Sequence, residues 1–254
     1  TTKIYTLSLH DALPIFNNQS YNNVAGWRSS PVLVFGTAKK YLQTKYDDIK
    51  LCGGAGQRGY IARTQDGVLY FWGSQGVSAY GLSGGTNFGV FHSNPVKISE
   101  ASFAHIWQSG SVHAFALTED GKCWGWGNNT YGRLGDGTIV GKATPQEPLG
   151  GHSSFIKILA IQESTVGLKS DGTVWTWGRN NIGQLGDFTT TNSSSPVSVV
   201  GDHSFVDLME SGASYHAHVM ALKEDGTVWG WGPNTSAQIG DYTMTNRSDR
   251  KSVV

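Results

Sequence analysis

The apolar and polar positions of this chain alternate over short runs, and no long amphipathic stretch appears. In Asp171-Gly172-Thr173-Val174-Trp175-Thr176-Trp177-Gly178, Trp175 and Trp177 fall on one face of an extended segment, because side chains alternate along a strand. The stretch before it, Thr165 to Lys169, is equally short and partly apolar. Asp-Gly between two such runs predicts a hairpin, since glycine takes the positive φ of the turn. A segment rich in Gly, Asn, Thr and Ser follows (178–195), then Ser-Pro and a predicted Val-rich strand from Val197 to Val200. Helix start and stop signals are scarce.

This pattern recurs. Asp66-Gly67, Asp120-Gly121, Asp171-Gly172 and Asp225-Gly226 lie 54, 51 and 54 residues apart, and Trp72-Gly73, Trp126-Gly127, Trp177-Gly178 and Trp231-Gly232 repeat the same intervals. Pro31, Pro95, Pro145 and Pro196 mark the second half of each unit. Upstream of each Asp-Gly stands an aromatic residue with an aliphatic one three later and a glycine four after that: Tyr46/Ile49/Gly53, Phe103/Ile106/Gly110 and Phe205/Leu208/Gly212. The third unit has Phe155 and Ile158, with Gln162 in the glycine's place. An all-β unit of about 50 residues, repeated without helices, predicts propeller blades of four antiparallel strands. No such unit can bury both its faces alone.

Composition narrows the function. Glycine supplies 34 of 254 residues, and charged residues only 15%, with 19 basic side chains balanced by 19 acidic ones. That neutrality opposes a nucleic-acid partner, which calls for a basic excess against phosphate. No apolar run approaches the roughly 18 residues of a membrane-spanning helix. Cys52 and Cys123 make neither a disulfide framework nor a metal knuckle. Cys123 stands where Val174 and Val228 stand in other units, which makes it a small core residue.

The blocks DGKCWGWGNNTYGRLGDGT (120–138), DGTVWTWGRNNIGQLGDFT (171–189) and DGTVWGWGPNTSAQIGDYT (225–243) resemble the regulator-of-chromosome-condensation repeat family. Its pattern runs Gly…His…Ala-Leu, Asp-Gly, Trp-Gly-x-Asn, then Gly-Gln-Leu-Gly. Trp124, Trp175 and Trp229 each sit two residues before the pattern's tryptophan. His113 and His218 occupy its histidine position, seven before the Asp, where the other units have Gly59 and Ser164. Ala237 replaces a glycine in the last unit, and the first, DGVLYFWGSQGVSAYGLSGGT (66–86), keeps little beyond Trp72-Gly73. The resemblance spans roughly residues 16–248. It implies a seven-bladed propeller, which at the mean spacing of 53 residues between Trp-Gly pairs needs about 370 residues. Residues 16–248 supply about 4.4 units, so an incomplete propeller is expected, with a closed four-bladed ring as the alternative. The units expected are a partial one at 16–36, then about 37–96, 97–146, 147–197 and 198–248. Ser29 to Gly36 matches Ser194 to Gly201 in register, so the chain enters mid-unit. The flanks 1–15 and 249–254 fit nothing in the repeat, resemble translated sequencing-adapter sequence, and are set apart as a non-native or disordered leader and a non-native tail.

Candidate chemistry is sparse. His216 and His218 form the one His/Cys pair with metal-ligand spacing, and two ligands alone make a poor site. The first reading of His218 is structural. No Gly-x-Ser-x-Gly elbow occurs. Asp136, Asp187 and Asp241 recur once per unit, but calcium wants six to eight oxygens, so turn-closing Asp side chains are the better account. The pairs Trp124/Trp126, Trp175/Trp177 and Trp229/Trp231 read first as inter-unit packing and second as a stacking platform for sugar or peptide. No catalytic, metal or cofactor site is expected. The leading reading is a non-enzymatic module whose loops (74–94, 128–144 and 179–195) meet a protein partner. The divergence of the units suggests a bacterial or phage-like setting for such a scaffold. Glycan binding is the second reading. Nucleotide exchange with chromatin docking, the namesake's role, is the third, and enzyme inhibition the fourth. Exposed sheet edges of an incomplete ring would also favour self-association.

Overall fold

The computed structural model describes residues 46–52, 59–74, 91–99, 101–108, 113–161, 163–201, 204–210 and 218–253, all within the unit Lys45–Val254. The leader, the partial unit at 16–36 and His216 lie outside the described residues. The protein is all-β. Four antiparallel sheets follow one another, each a meander of four strands in sequence order. The first holds β1 (Tyr46–Cys52), β2 (Gly59–Thr64), β3 (Leu69–Ser74) and β4 (Phe91–Lys97). The second holds β5 (His105–Gln108), β6 (His113–Leu117), β7 (Cys123–Gly127) and β8 (Lys142–Gln146). The third holds β9 (Phe155–Ile161), β10 (Ser164–Lys169), β11 (Val174–Gly178) and β12 (Ser193–Ser198). The fourth holds β13 (Phe205–Glu210), β14 (Val219–Lys223), β15 (Val228–Gly232) and β16 (Arg247–Ser252). The first strands of successive sheets lie beside one another, β1 by β5, β5 by β9 and β9 by β13. These are propeller blades with the first strand innermost.

Each Asp-Gly closes the hairpin between the second and third strands. Gly67, Gly121, Gly172 and Gly226 all have φ between 74° and 86°. In the first blade the Gly67 N–H donates to the Thr64 carbonyl at 2.9 Å, and Thr64 N–H donates to the Val68 carbonyl at 3.0 Å. The glycine therefore follows the tight turn as a left-handed residue, a three-residue loop with a bulge.

The fourth strand of the third blade starts at Ser193, earlier than the Val-rich run predicts. Ser193 pairs with Gly178, and the register then shifts before Val197 meets Thr176. Polar residues can begin this strand because it is the outermost of its sheet. Val199, just past its end, is buried and donates its N–H to the Val174 carbonyl at 2.9 Å. In the fourth blade the outer strand is strongly polar and includes Asp249 to Ser252, with Lys251 opposite Gly230 and Ser252 opposite Trp229.

The core lies between blades. One cluster joins Ile61, Leu69 and Phe71 of the first blade to Phe103, Ile106 and Trp126 of the second. The next joins Phe115, Leu117 and Leu134 to Phe155, Ile158 and Trp177. The third joins Leu159, Val166 and Leu168 to Phe205, Leu208 and Trp231. At each of these three junctions the facing sheets cover one another. Among the described residues no helix is long and apolar enough to cross a membrane.

Candidate functional site

The loops after the third strands of the second, third and fourth blades carry the features that are not explained by blade packing, and each is built around one asparagine. Asn129, Asn180 and Asn234 are fully or almost fully buried. In the third blade the Asn180 amide nitrogen donates to Asp187 Oδ1 at 3.0 Å and to the Thr189 carbonyl at 3.1 Å, while its Oδ1 accepts the Leu185 N–H at 2.9 Å. Asn129 and Asn234 make the same bonds to Asp136 and Leu134, and to Asp241 and Ile239. Asp136, Asp187 and Asp241 each accept the N–H two residues on, from Thr138, Thr189 and Thr243, at 3.0 to 3.1 Å. These are Asx turns. Burial raises the Asp241 carboxyl, but the Thr243 hydroxyl and the Arg247 guanidinium at 2.5 Å outweigh it and hold the pKa at about 2. Among the described residues no group of three or more His, Cys, Asp or Glu is placed to hold a metal ion.

The same loops latch onto the next blade. Gly137 N–H donates to the Ser194 carbonyl at 2.8 Å, and Phe188 N–H to the Ser248 carbonyl at 2.8 Å. The residue after each loop Asp is left-handed: Gly137 at φ 78°, Phe188 at 64° and Tyr242 at 61°. That conformation aims the N–H of Gly137 and Phe188 at the neighbouring strand. It also throws the Phe188 and Tyr242 side chains into solvent, 62% and 102% exposed. Ile139, Val140 and Met244 are also exposed, in the same loops. These five are the most exposed large apolar side chains among the described residues.

At the junction of the second and third blades lies an open cleft of about 490 Å³, lined by Thr130, Tyr131, Ile139, Asn192 and Ser194. Tyr131 is left-handed at φ 68°. The Arg179 guanidinium lies 5.1 Å from its ring centre and that of Arg133 lies 6.0 Å away. Arg179 is ion-paired to Glu163. Burial pulls the Arg133 pKa down, against Glu163 and Tyr131, which raise it, while Arg179 adds to the lowering.

The repeat-signature residues lie on the other elements of the blades. Trp126, Trp177 and Trp231 are buried between blades; the Trp177 ring meets Phe115 edge-on at 5.8 Å, and Trp231 Nε1 donates to the Gln184 carbonyl at 3.1 Å. Trp124, Trp175 and Trp229 are half-buried. Lys169 sits 5.0 Å from the Trp175 ring, and Lys223 and Arg250 each 5.0 Å from the Trp229 ring. His113 is buried and crosses a junction. Its Nε2 lies 3.0 Å from Thr165 Oγ1, whose hydroxyl donates to the Arg133 carbonyl at 2.9 Å, so the histidine carries its proton on Nε2. Burial, with Arg133 adding, pulls its pKa well below the usual range. His218 is half-buried beside β14. Cys123 is buried, and burial, with Glu147 adding, pushes its thiol pKa up. Trp126, Trp177, Trp231 and His113 of the signature are thus packed in the core, while the exposed apolar positions of the loops and the cleft residues follow no repeated sequence mark. Only the departure from glycine at Phe188 and Tyr242 could have signalled them.

A family model described as "Regulator of chromosome condensation (RCC1) repeat" matches residues 171–222, and a second of the same description matches 108–133. E3 ubiquitin-protein ligase HERC2 of Mus musculus is 30% identical over 196 residues, which span 74% of this chain and 4% of that protein. Ultraviolet-B receptor UVR8 of Arabidopsis thaliana is 29% identical over 184 residues, 71% of this chain and 40% of that protein. Human WBSCR16 superposes with a TM-score of 0.62 at 21% identity, over 84% of this chain and 54% of that one. Prp20p of Saccharomyces cerevisiae, solved in a study of its binding to Gsp1p and histones, superposes with a TM-score of 0.64 at 18% identity. That match covers 87% of this chain and 52% of that one.

Proposed function

The chain belongs to the regulator-of-chromosome-condensation repeat family, and from that premise we propose that it is a non-enzymatic binding module that presents the loops after its third strands to a protein partner. The observation that carries this reading is the gathering of Ile139, Val140, Phe188, Tyr242 and Met244 in those loops. Exposed apolar side chains clustered on one rim of a rigid scaffold are what a protein interface uses. Two of the three loop acids are already neutralised, Asp136 by Lys142 and Asp241 by Arg247. Prp20p, similar in fold, was studied for its binding to Gsp1p and histones, which is in keeping with this reading.

The test is a glycan array probed side by side with a displayed random-peptide library, using the full chain and its Phe188→Ser/Tyr242→Ser double variant. Peptide capture that falls in the variant is the expected result. Binding to glycans alone refutes the protein-partner reading.

A further inference from the structure

We propose that the cleft between the second and third blades binds a neutral saccharide. The inference goes beyond the protein-binding reading and does not rest on it. The cleft lies where the loop of the second blade folds differently from its counterparts. In the third and fourth blades Gln184 and Gln238 brace the turn through Oε1, which accepts the Ile182 N–H at 2.9 Å and the Ser236 N–H at 2.7 Å. Arg133 stands at that place in the second blade, and its side chain accepts no hydrogen bond. Its Nε donates instead to the Thr130 carbonyl at 2.9 Å. Tyr131, the counterpart of Ile182 and Ser236, is left-handed at φ 68°, and they are not. A residue with a Cβ disfavours that conformation, and such outliers gather where ligands bind. This one lines the cleft.

The lining selects the class of ligand. Thr130, Tyr131, Ile139, Asn192 and Ser194 carry no charge at neutral pH. The hydroxyls of Thr130, Tyr131 and Ser194 each donate and accept, and Asn192 spends its Oδ1 on the Asn180 N–H at 2.8 Å, which leaves Nδ2 to donate. Groups that do both suit ligand hydroxyls, which also do both. The backbone route to a peptide is already taken at Ser194, whose carbonyl accepts the Gly137 N–H at 2.8 Å. Ile139 and the Tyr131 ring supply apolar surface for the C–H face of a sugar ring. The walls are set in advance: a Cβ on Gly132 would stand 2.4 Å from Ser194 Cα, and Asn128 Oδ1 holds the Thr130 N–H at 2.8 Å. The volume of about 490 Å³ falls within the range of small-ligand sites.

The test is saturation-transfer NMR on the full chain with the methyl glycosides of glucose, galactose, mannose and N-acetylglucosamine, and with glucuronic acid beside them. At least one neutral glycoside should bind, with a dissociation constant on the order of 1 mM for so open a site and without dependence on salt. Tyr131→Gly removes the ring at a position where glycine is at ease and should weaken binding about tenfold. Thr130→Val/Ser194→Ala removes two hydroxyls at nearly constant volume and should also weaken it about tenfold. Phe188→Ser/Tyr242→Ser leaves the lining intact and should bind as the parent does. Three results overturn the proposal: no neutral glycoside binds, glucuronic acid binds better than every neutral one, or a cleft variant that is folded by circular dichroism binds as the parent does. Saccharide binding without peptide capture leaves the proposal standing and refutes the protein-partner reading. Peptide capture with no saccharide bound does the reverse.

Discussion

Alanine in place of the hairpin glycines separates a blade's own turn from its grip on the next blade. Gly172 and Gly226 are left-handed to nearly the same degree, φ 80° and 86°, so alanine carries the same backbone penalty at both. That penalty is about 1–2 kcal/mol, offset in part by the roughly 0.4–1 kcal/mol gained from a stiffer unfolded chain. The surroundings differ. A Cβ on Gly172 would stand 2.9 Å from Ser204 Cα and 3.1 Å from Phe205 N, both rigid backbone of the next blade. A Cβ on Gly226 would meet nothing within 4 Å. The Gly172 carbonyl also accepts the Phe205 N–H at 3.1 Å, as Gly67 and Gly121 accept those of Phe103 and Phe155 at 3.0 Å.

Forcing the blades apart at Gly172 adds an overpacking cost of about 1–3 kcal/mol and strains a hydrogen bond worth about 1 kcal/mol. Gly172→Ala should therefore destabilise by about 3 kcal/mol and Gly226→Ala by about 1 kcal/mol. Gly121→Ala should behave as Gly172→Ala does, since its Cβ would stand 2.9 Å from Ser154 Cα. Urea unfolding followed by circular dichroism reads these differences directly if the slopes agree. Equal losses at Gly172 and Gly226 would refute the idea that the turn glycines are blade-to-blade latches.

Three further outcomes are expected. Asn180→Ala removes both the partner of Leu185 N–H and a donor to Asp187, and thermal melting should show a loss of about 2–4 kcal/mol; a loss under 1 kcal/mol would mean water replaces the amide. His113 and His152 both have lowered pKa values, chiefly through burial, with Arg133 and Lys169 respectively adding to it. The unfolded chain then binds the extra protons, so stability should fall as pH drops through the ordinary histidine value near 6.5. The urea midpoint at pH 7 and pH 5.5 checks this, and a midpoint that rises at pH 5.5 has the wrong sign. Trp126, Trp177 and Trp231 are buried, so emission should be blue-shifted and iodide quenching shallow; strong quenching relieved by sugars would favour the glycan alternative.

The repeat was legible because blade packing imposes the same demands on every unit. Trp177 must fill the gap between two sheets, and Gly172 must be left-handed and lack a Cβ, so both recur at fixed spacing. The loop acids were legible for the same reason: the Asn180–Asp187–Thr189 brace needs one acid and one threonine at set positions. The early start of β12 at Ser193 was not, because an outermost strand pairs through its backbone and leaves little mark on its side chains. Nor was the bond from His113 to Thr165 legible, since it joins residues 52 apart across a junction.

The position after the loop Asp shows where packing stops being the explanation. Gly137, Phe188 and Tyr242 share one backbone conformation, and glycine adopts it without strain. Phe188 and Tyr242 adopt it at about 1–2 kcal/mol, and their exposure means that ring burial returns little of it. Aiming an N–H at the next blade requires the conformation, but Gly137 does so with no side chain at all. Stability alone would therefore favour glycine at every one of these positions. An aromatic ring held in solvent against that preference is better accounted for by what it touches in a complex than by what it touches here. Gly132 and Gly183 show the converse. A Cβ on either glycine would come within 2.4 Å of the neighbouring blade, at Ser194 Cα or the Arg247 carbonyl oxygen, so where a blade presses on its neighbour the residue is glycine. Phe188 faces no such pressure, and an exposed aromatic of its kind is what an interface enriches.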